Sequence, residues 1–366
     1  ILTGEKNVVI GYEAYDDADG AESSSVVIGW AAGGSINHDS TANNVIIGTS
    51  AGSGGGAAMI GCVAIGSDAM DSTGANAQTG TIAIGTSALT ALTSGASNTA
   101  IGYQSLDAIT TGAENVAIGY NAMTSADGSE TRNVAIGNDA LYSMNNNSTN
   151  ANTAVGSSVG YNITTGSGNS LFGYRAGDAG NFGSATLIGY QAGGAINSTD
   201  ADGTVAVGYS ALNALTSGAK NVAIGYEALM TQVDGDQNTA VGYQALKMAE
   251  ASSDGYGNNT AIGALALTSL TTGTGNVAVG TQCLDASTDG DGNIAIGYDA
   301  LSNASVSEDF NIAIGYDTMK GVDEGTAGGD ADHNIALGAN TLYGGDFAGN
   351  DRQLQGNIAI SSYALD

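Results

Sequence analysis

One motif, Asn-Val-Ala-Ile-Gly-Tyr-x-Ala-Leu, recurs down the whole chain and stands almost unaltered at Asn115–Met123, Asn221–Leu229, Asn238–Leu246 and Asn293–Leu301. Its glycine falls at 19 positions from Gly11 to Gly338, and Ser361 takes the place in a twentieth unit. Spacings run from 16 to 23 residues and cluster at 17 to 19. The residue before the glycine is apolar in all 20 units: 14 Ile, four Val, Phe172 and Leu337. Two before it, 15 units carry Ala; four before it, 15 carry Asn; directly after it, ten carry Tyr. The fourth position after is mostly Leu or Met, with Gly instead at Gly33, Gly52, Gly160, Gly177 and Gly193. Columns this strict describe one physical environment met again and again.

A unit of about 18 residues is too short for a βαβ element, which needs roughly 30 or more. It fits one coil of a solenoid whose coils stack at the ~4.8 Å strand spacing. The expected fold is therefore all-β: a parallel β-solenoid (β-roll or β-helix) of about 20 coils with ~18 residues each. Residues 1–366 read as a single repetitive domain, because each coil contacts mainly its neighbours. The chain opens at Ile1 without signal peptide or initiator Met and reads as a fragment or processed part of a longer one.

Side chains alternate across a strand. In Val116-Ala117-Ile118-Gly119 the large pair is assigned to the coil's own core, and the small pair to a face that lets another wall or a second chain approach. A narrow coil with such a face points to a homotrimer. On this assignment Ile118→Asp is far more damaging than Glu114→Ala. The glycine marks a bend with φ > 0 or a close backbone approach. The Asn column is expected to stack into a side-chain ladder. The segment x-Ala-Leu reads as a second strand with an inward apolar residue, and Thr110–Glu114 as a polar turn. The chain has no Pro, as expected where every stacked strand needs its N–H.

Composition narrows the partners. Seven Lys plus Arg stand against 36 Asp plus Glu, a net charge of −29. No basic footprint exists for nucleic acid or for an anionic membrane surface, and no apolar run approaches the ~20 residues of a membrane-spanning helix.

The Asn-Val-Ala-Ile-Gly strand resembles the repeat of trimeric autotransporter adhesin heads, left-handed parallel β-rolls that form homotrimers. With Tyr-x-Ala-Leu added, it is similar to repeats of bacteriophage tail fibres. The resemblance covers about residues 7 to 366, and the coils here are longer than those of adhesin heads. It implies a structural and adhesive fibre segment: a phage tail-fibre shaft or receptor-binding region, or alternatively a bacterial trimeric surface adhesin. The implied setting is extracellular, on a virion or a bacterial surface. The implied partners are further copies of the chain, a host glycan or protein receptor, and flanking fibre or chaperone domains.

Candidate sites are few, and no catalytic, cofactor-binding or metal residue is singled out. Asp-rich turns (Asp16–Asp19, Asp200–Asp202, Asp234–Asp236, Asp289–Asp291 and Asp330–Asp332) invite calcium. EF-hand spacing fails, however: the sixth position after Asp289, Asp291 and Asn293 is Ile294 rather than Gly. Solvated acidic turns are the plainer reading. The Tyr column is either a sugar-stacking surface or a stack of rings at a coil corner. His38 and His333 lie too many coils apart to share a site, and Cys62 and Cys283 read as small buried substitutes rather than a disulfide. A polysaccharide-cleaving tailspike would need only two carboxylates, yet no acidic pair stands apart. Partner contacts are expected in the long late turns, Lys247–Asn258, Lys320–His333 and Tyr343–Gly356, which hold Lys247, Lys320, Arg352, Tyr256, Tyr343 and Phe347.

Overall fold

The computed structural model describes residues 4–74, 76–145, 150–249, 257–304, 308–322, 331–343 and 354–365. Contacts divide the chain into two compact units, Ile1–Gly183 and Ser184–Asp366. Ten three-residue strands run through the first, from Val8–Ile10 to Ser170–Phe172, and ten through the second, from Thr186–Ile188 to Ile358–Ile360. Within each unit consecutive strands pair in parallel and in register, as Val116 with Val134, Ala117 with Ala135 and Ile118 with Ile136. One three-residue strand per repeat makes each unit a parallel β-solenoid, and in two coils of the first unit a second, two-residue strand is added, Met59–Ile60 pairing in parallel with Gln78–Thr79. Among the described residues the only helical element is a 3₁₀ turn, Thr199–Ala201.

The strand faces are the reverse of the sequence expectation. The middle residue of the strand points inward: Ala117, Ala135, Ala223 and Ala295 are fully buried. The large flanking residues point outward, and Ile224 and Ile262 remain 39% and 41% exposed. The cause is lumen size. The buried Met123 and Leu106 enter from the corner, and Ile109 enters three residues after Leu106, so the strand's inward position has room for little more than a methyl group. The segment x-Ala-Leu is not a second strand either. Asn121 and Met123 both have left-handed backbones (φ 53° each), a conformation that costs a non-glycine residue roughly 1–2 kcal/mol. Ladder bonds and burial hold it there. The Asn121 N–H donates to the Tyr103 carbonyl on one side, and that of Met123 to Ala140 on the other, each at 3.0 Å.

Two substitutions within the repeat keep the lumen volume constant. The first explains the glycines that replace the corner Leu. Four of the five, Gly33, Gly52, Gly177 and Gly193, share a coil with Val27, Ile46, Leu171 and Leu187, where the strand carries a large inward residue instead of Ala. The fifth, Gly160, follows the buried Val159 and lies against Leu171 of the next coil. The second trade explains three buried carboxylates. Where Ile109, Leu215 or Leu270 fills the far end of the lumen, the following turn has Gly112, Gly218 or Gly273, whose added Cβ would lie 2.4–2.9 Å from that side chain. Where the aliphatic residue shrinks to Ala18, Ala126 or Ala304, the turn carries Glu22, Glu130 or Glu308, all buried.

The glycine column serves both expected purposes. Gly119 has φ 144°, and a Cβ there would meet the Gly137 carbonyl oxygen at 2.2 Å, so backbone rests directly on backbone. The Asn ladder is also present. Nδ2 of Asn115 donates to Oδ1 of Asn98 (3.1 Å) and to the Glu130 carbonyl (2.8 Å), while Oδ1 of Asn115 accepts from the Asn133 backbone N–H (3.0 Å).

Two outcomes follow. Ala117→Asp, which buries an unpaired charge, is expected to cost several kcal/mol; Ile118→Asp, on the outer face, costs a single chain much less. Equal melting shifts in dilute, unassociated protein would overturn this face assignment. At Gly193 an added Cβ lies 2.9 Å from Cδ1 of Leu187 and 2.8 Å from Cδ1 of Ile196. Gly193→Leu alone should therefore destabilise by about 1–3 kcal/mol, and adding Leu187→Ala should restore most of it. A double variant no more stable than the single one would refute the volume trade.

Candidate functional site

The acidic turns bind backbone. An Asp two residues before the ladder Asn accepts the N–H of the equivalent residue one coil earlier. Asp236 Oδ1 accepts from Ala219 (2.6 Å), Asp291 from Thr274 (2.6 Å), Asp309 from Asp291 (2.7 Å) and Asp332 from Asp309 (2.8 Å). Three of these carboxylates are consecutive, so each bracket places like charges one coil apart. Burial pushes the Asp309 carboxyl above the usual carboxylate range; its bond from Asp291 opposes this, and repulsion by Asp332, Asp291 and Asp289 adds to it. Among the described residues no group of three or more His, Cys, Asp or Glu side chains is arranged to hold a metal ion. Asp16 and Asp17 line an open cleft with Glu13, Ser35, Ser50 and Ser53. Asp330 lies outside the described residues.

Glu22 and Glu130 escaped sequence reasoning because they stand in turns that otherwise read as solvated. Each is fully buried. Oε2 accepts the N–H of Gly20 or Gly128, two residues earlier, at 3.0 Å. The signal that finds them is the Ala four residues before, which vacates the lumen.

The Tyr column is a corner stack. Tyr190, Tyr209, Tyr226 and Tyr243 form a continuous run with ring centroids 5.0–5.4 Å apart and planes within 12° of parallel. Tyr103 with Tyr120 and Tyr298 with Tyr316 repeat the arrangement. The rings cover one another's faces and leave edges and hydroxyls to solvent. Beside them, Lys247 pairs with Glu227 (2.6 Å) and Lys320 with Asp299 (2.5 Å) and Asp317 (3.3 Å), each pair joining neighbouring coils or a single corner. Hydrogen bonds from Lys247 and Gln244 hold the Glu227 carboxyl below its ordinary range.

The cysteines and histidines stand apart. Cys62 and Cys283 are buried free thiols. Burial pushes both upward, Cys283 to about 12, which makes each a poor nucleophile. His38 Nδ1 accepts from the Ser40 N–H in the first unit (3.1 Å). His333 lies in the second unit against Phe310, ring centroids 5.3 Å apart with the planes tilted 32°. Of the late turns, residues 250–256, 323–330 and 344–353, with Tyr256, Phe347 and Arg352, lie outside the described residues. No family model matches the chain, and no curated protein matches it.

The Asp ladder generates a pH dependence. A carboxyl whose folded value is raised holds its proton more tightly when folded. Stability is thus gained as pH falls through the raised folded value toward the ordinary Asp value, and lost again as pH rises. Asp309→Asn keeps an Oδ1 acceptor for Asp291 and removes the repulsion. At neutral pH it should match or exceed the parent's melting temperature, and that advantage should shrink on acidification into the carboxylate range. A large loss at neutral pH would show that the charge itself is needed.

Proposed function

We propose that the chain is a structural and adhesive fibre segment, associated as a homotrimer through the outer Val/Ile face of its strands. The reading that fits best is a phage tail-fibre shaft or receptor-binding region, extracellular and on the virion; a bacterial surface adhesin shares every feature argued here. One observation carries the proposal. In every strand a large apolar residue ends the triplet on the outside, and in 14 of the 20 a Val or Ile also opens it, the other six opening with Thr or Ser; the exposed column includes Ile188, Ile224, Ile262, Ile296 and Ile314. None of the 20 strands contains a charged residue. Contiguous apolar stripes of this kind mark interaction surfaces, and a parallel stack repeats the stripe at one spacing, so an identical copy matches it row by row. Packing against copies would bury about 25 cal/mol per Å² of apolar surface. The repeated backbone ladder suits a load-bearing shaft, and the variable turns are the part free to bind.

The test is sedimentation of the purified chain. A trimer is expected at micromolar concentration, and a stable folded monomer there would contradict the assembly. Ile224→Asp with Ile262→Asp should yield monomers that keep the parent's far-ultraviolet spectrum. Loss of the spectrum instead would mean that these residues belong to the single-chain core. Attachment of the assembled chain to candidate host cells tests the adhesive half.

A further inference from the structure

We propose that a ridge formed by Phe310 and His333 is a binding subsite for a cationic amino sugar carried by a cell-surface glycan. This rests on the adhesive reading above and names a ligand for it. Phe310 and His333 occupy the position immediately before the ladder Asn in adjacent coils, both with left-handed backbones (φ 55° and 58°). That shared backbone projects the two rings from equivalent places. Phe310 lies over Gly292, where an added Cβ would stand 2.7 Å from the ring. Farther out in the same column, a Cβ added at Gly275 or Gly356 would meet nothing within 4 Å. The two rings therefore form a ridge with bare backbone on either side. Phe310 is 55% exposed in a turn whose neighbours are acidic, an arrangement that solubility alone does not favour.

Charge decides the occupant. Asp291, Asp309 and Asp332 are each the residue before this column or its equivalent, and each gives one oxygen to a backbone N–H. Among the described residues their second oxygens have no hydrogen-bond partner, and no Lys or Arg pairs with them. Among the described residues these three stacked carboxylates have no counter-charge. A cation held against Phe310 is attracted by the ring quadrupole and by the three carboxylates, whereas an anionic sugar meets repulsion here and from a net charge of −29. A pyranose amine also offers hydroxyl donors to the free oxygens and an apolar ring face to the aromatics. A lysine side chain offers neither and loses roughly 1.5–2 kcal/mol of rotamer freedom on binding.

The experiment is calorimetric or saturation-transfer binding of a glucosamine disaccharide to the full chain. Its N-acetylated counterpart and trilysine serve as comparisons. The variants are Phe310→Ala, the bulk-retaining Phe310→Leu, Asp309→Asn, and Tyr226→Ala as a control away from the ridge. The amine disaccharide is expected to bind, with Phe310→Ala and Phe310→Leu each weakening it by about tenfold, Asp309→Asn weakening it less, and Tyr226→Ala leaving it unchanged. Acetylation should weaken binding by a similar factor. No binding, equal binding by the parent and both Phe310 variants, equal binding of the acetylated sugar, or a Phe310-dependent preference for trilysine would each overturn the proposal. Cell attachment separates the two levels. Attachment by the parent and by Phe310→Leu alike would remove this subsite and leave the adhesive reading standing, while absence of attachment by the parent would remove that reading.

Discussion

Everything in this protein follows from a lumen of fixed cross-section. In a parallel in-register stack each backbone N–H and carbonyl must meet its counterpart one coil away. No coil can therefore swell or shrink without breaking bonds to both neighbours. The glycine column sets the tightest point of that contact: a methyl group at Gly119 would occupy the Gly137 carbonyl. With the wall so fixed, the side chains inside have to add up to a constant volume. This is why Leu187 occurs with Gly193, and Ala126 with the buried Glu130.

The same constraint explains which part of the architecture the sequence reveals. The coil count and register are legible because the backbone contact tolerates almost nothing but glycine, so the period survives drift elsewhere. The Asn ladder is legible for a similar reason: the Asn115 side chain serves four hydrogen bonds at once, and a side chain with one donor and one acceptor cannot replace it fully. Which face of Val116-Ala117-Ile118 turns inward is not legible from alternation alone. Both faces are uncharged, and residue size suggests the wrong one. The paired exchange of strand Ala for Val, Ile or Leu in four of the five coils whose corner Leu becomes Gly carries the answer, because only side chains that share a cavity need to compensate for one another. The corner itself misleads as well. The segment x-Ala-Leu makes ladder bonds in both directions like a strand, yet reaches them through left-handed residues that Leu and Met rarely adopt.

Turning the large residues outward changes what kind of object the chain is. A solenoid with Ile inside would be a self-sufficient core with a smooth Ala/Gly wall. With Ala inside, the single-chain core is narrow, and much of the apolar surface of each strand remains on the outside. Burial of that surface is the largest stabilising resource the sequence has left unused. On the proposed assembly, folding and association are expected to be coupled, because the stripe proposed to join copies lies on the same strands that carry the backbone ladder.

Charge is distributed so that association is not opposed. The chain carries −29, and copies associated as proposed would repel one another at long range. Screening shortens that repulsion to about 8 Å at physiological ionic strength, and the strands contribute none of it, since all their residues are uncharged. The carboxylates sit instead in the turns, where Asp291, Asp309 and Asp332 each bracket the coil before them through a backbone N–H. The turns thus perform two tasks that would conflict on a strand. They lend each coil an anchor to its neighbour, and they concentrate a negative field at the one region free to vary in length and sequence. A binding function that evolves on such a scaffold changes the turns and leaves the lumen untouched.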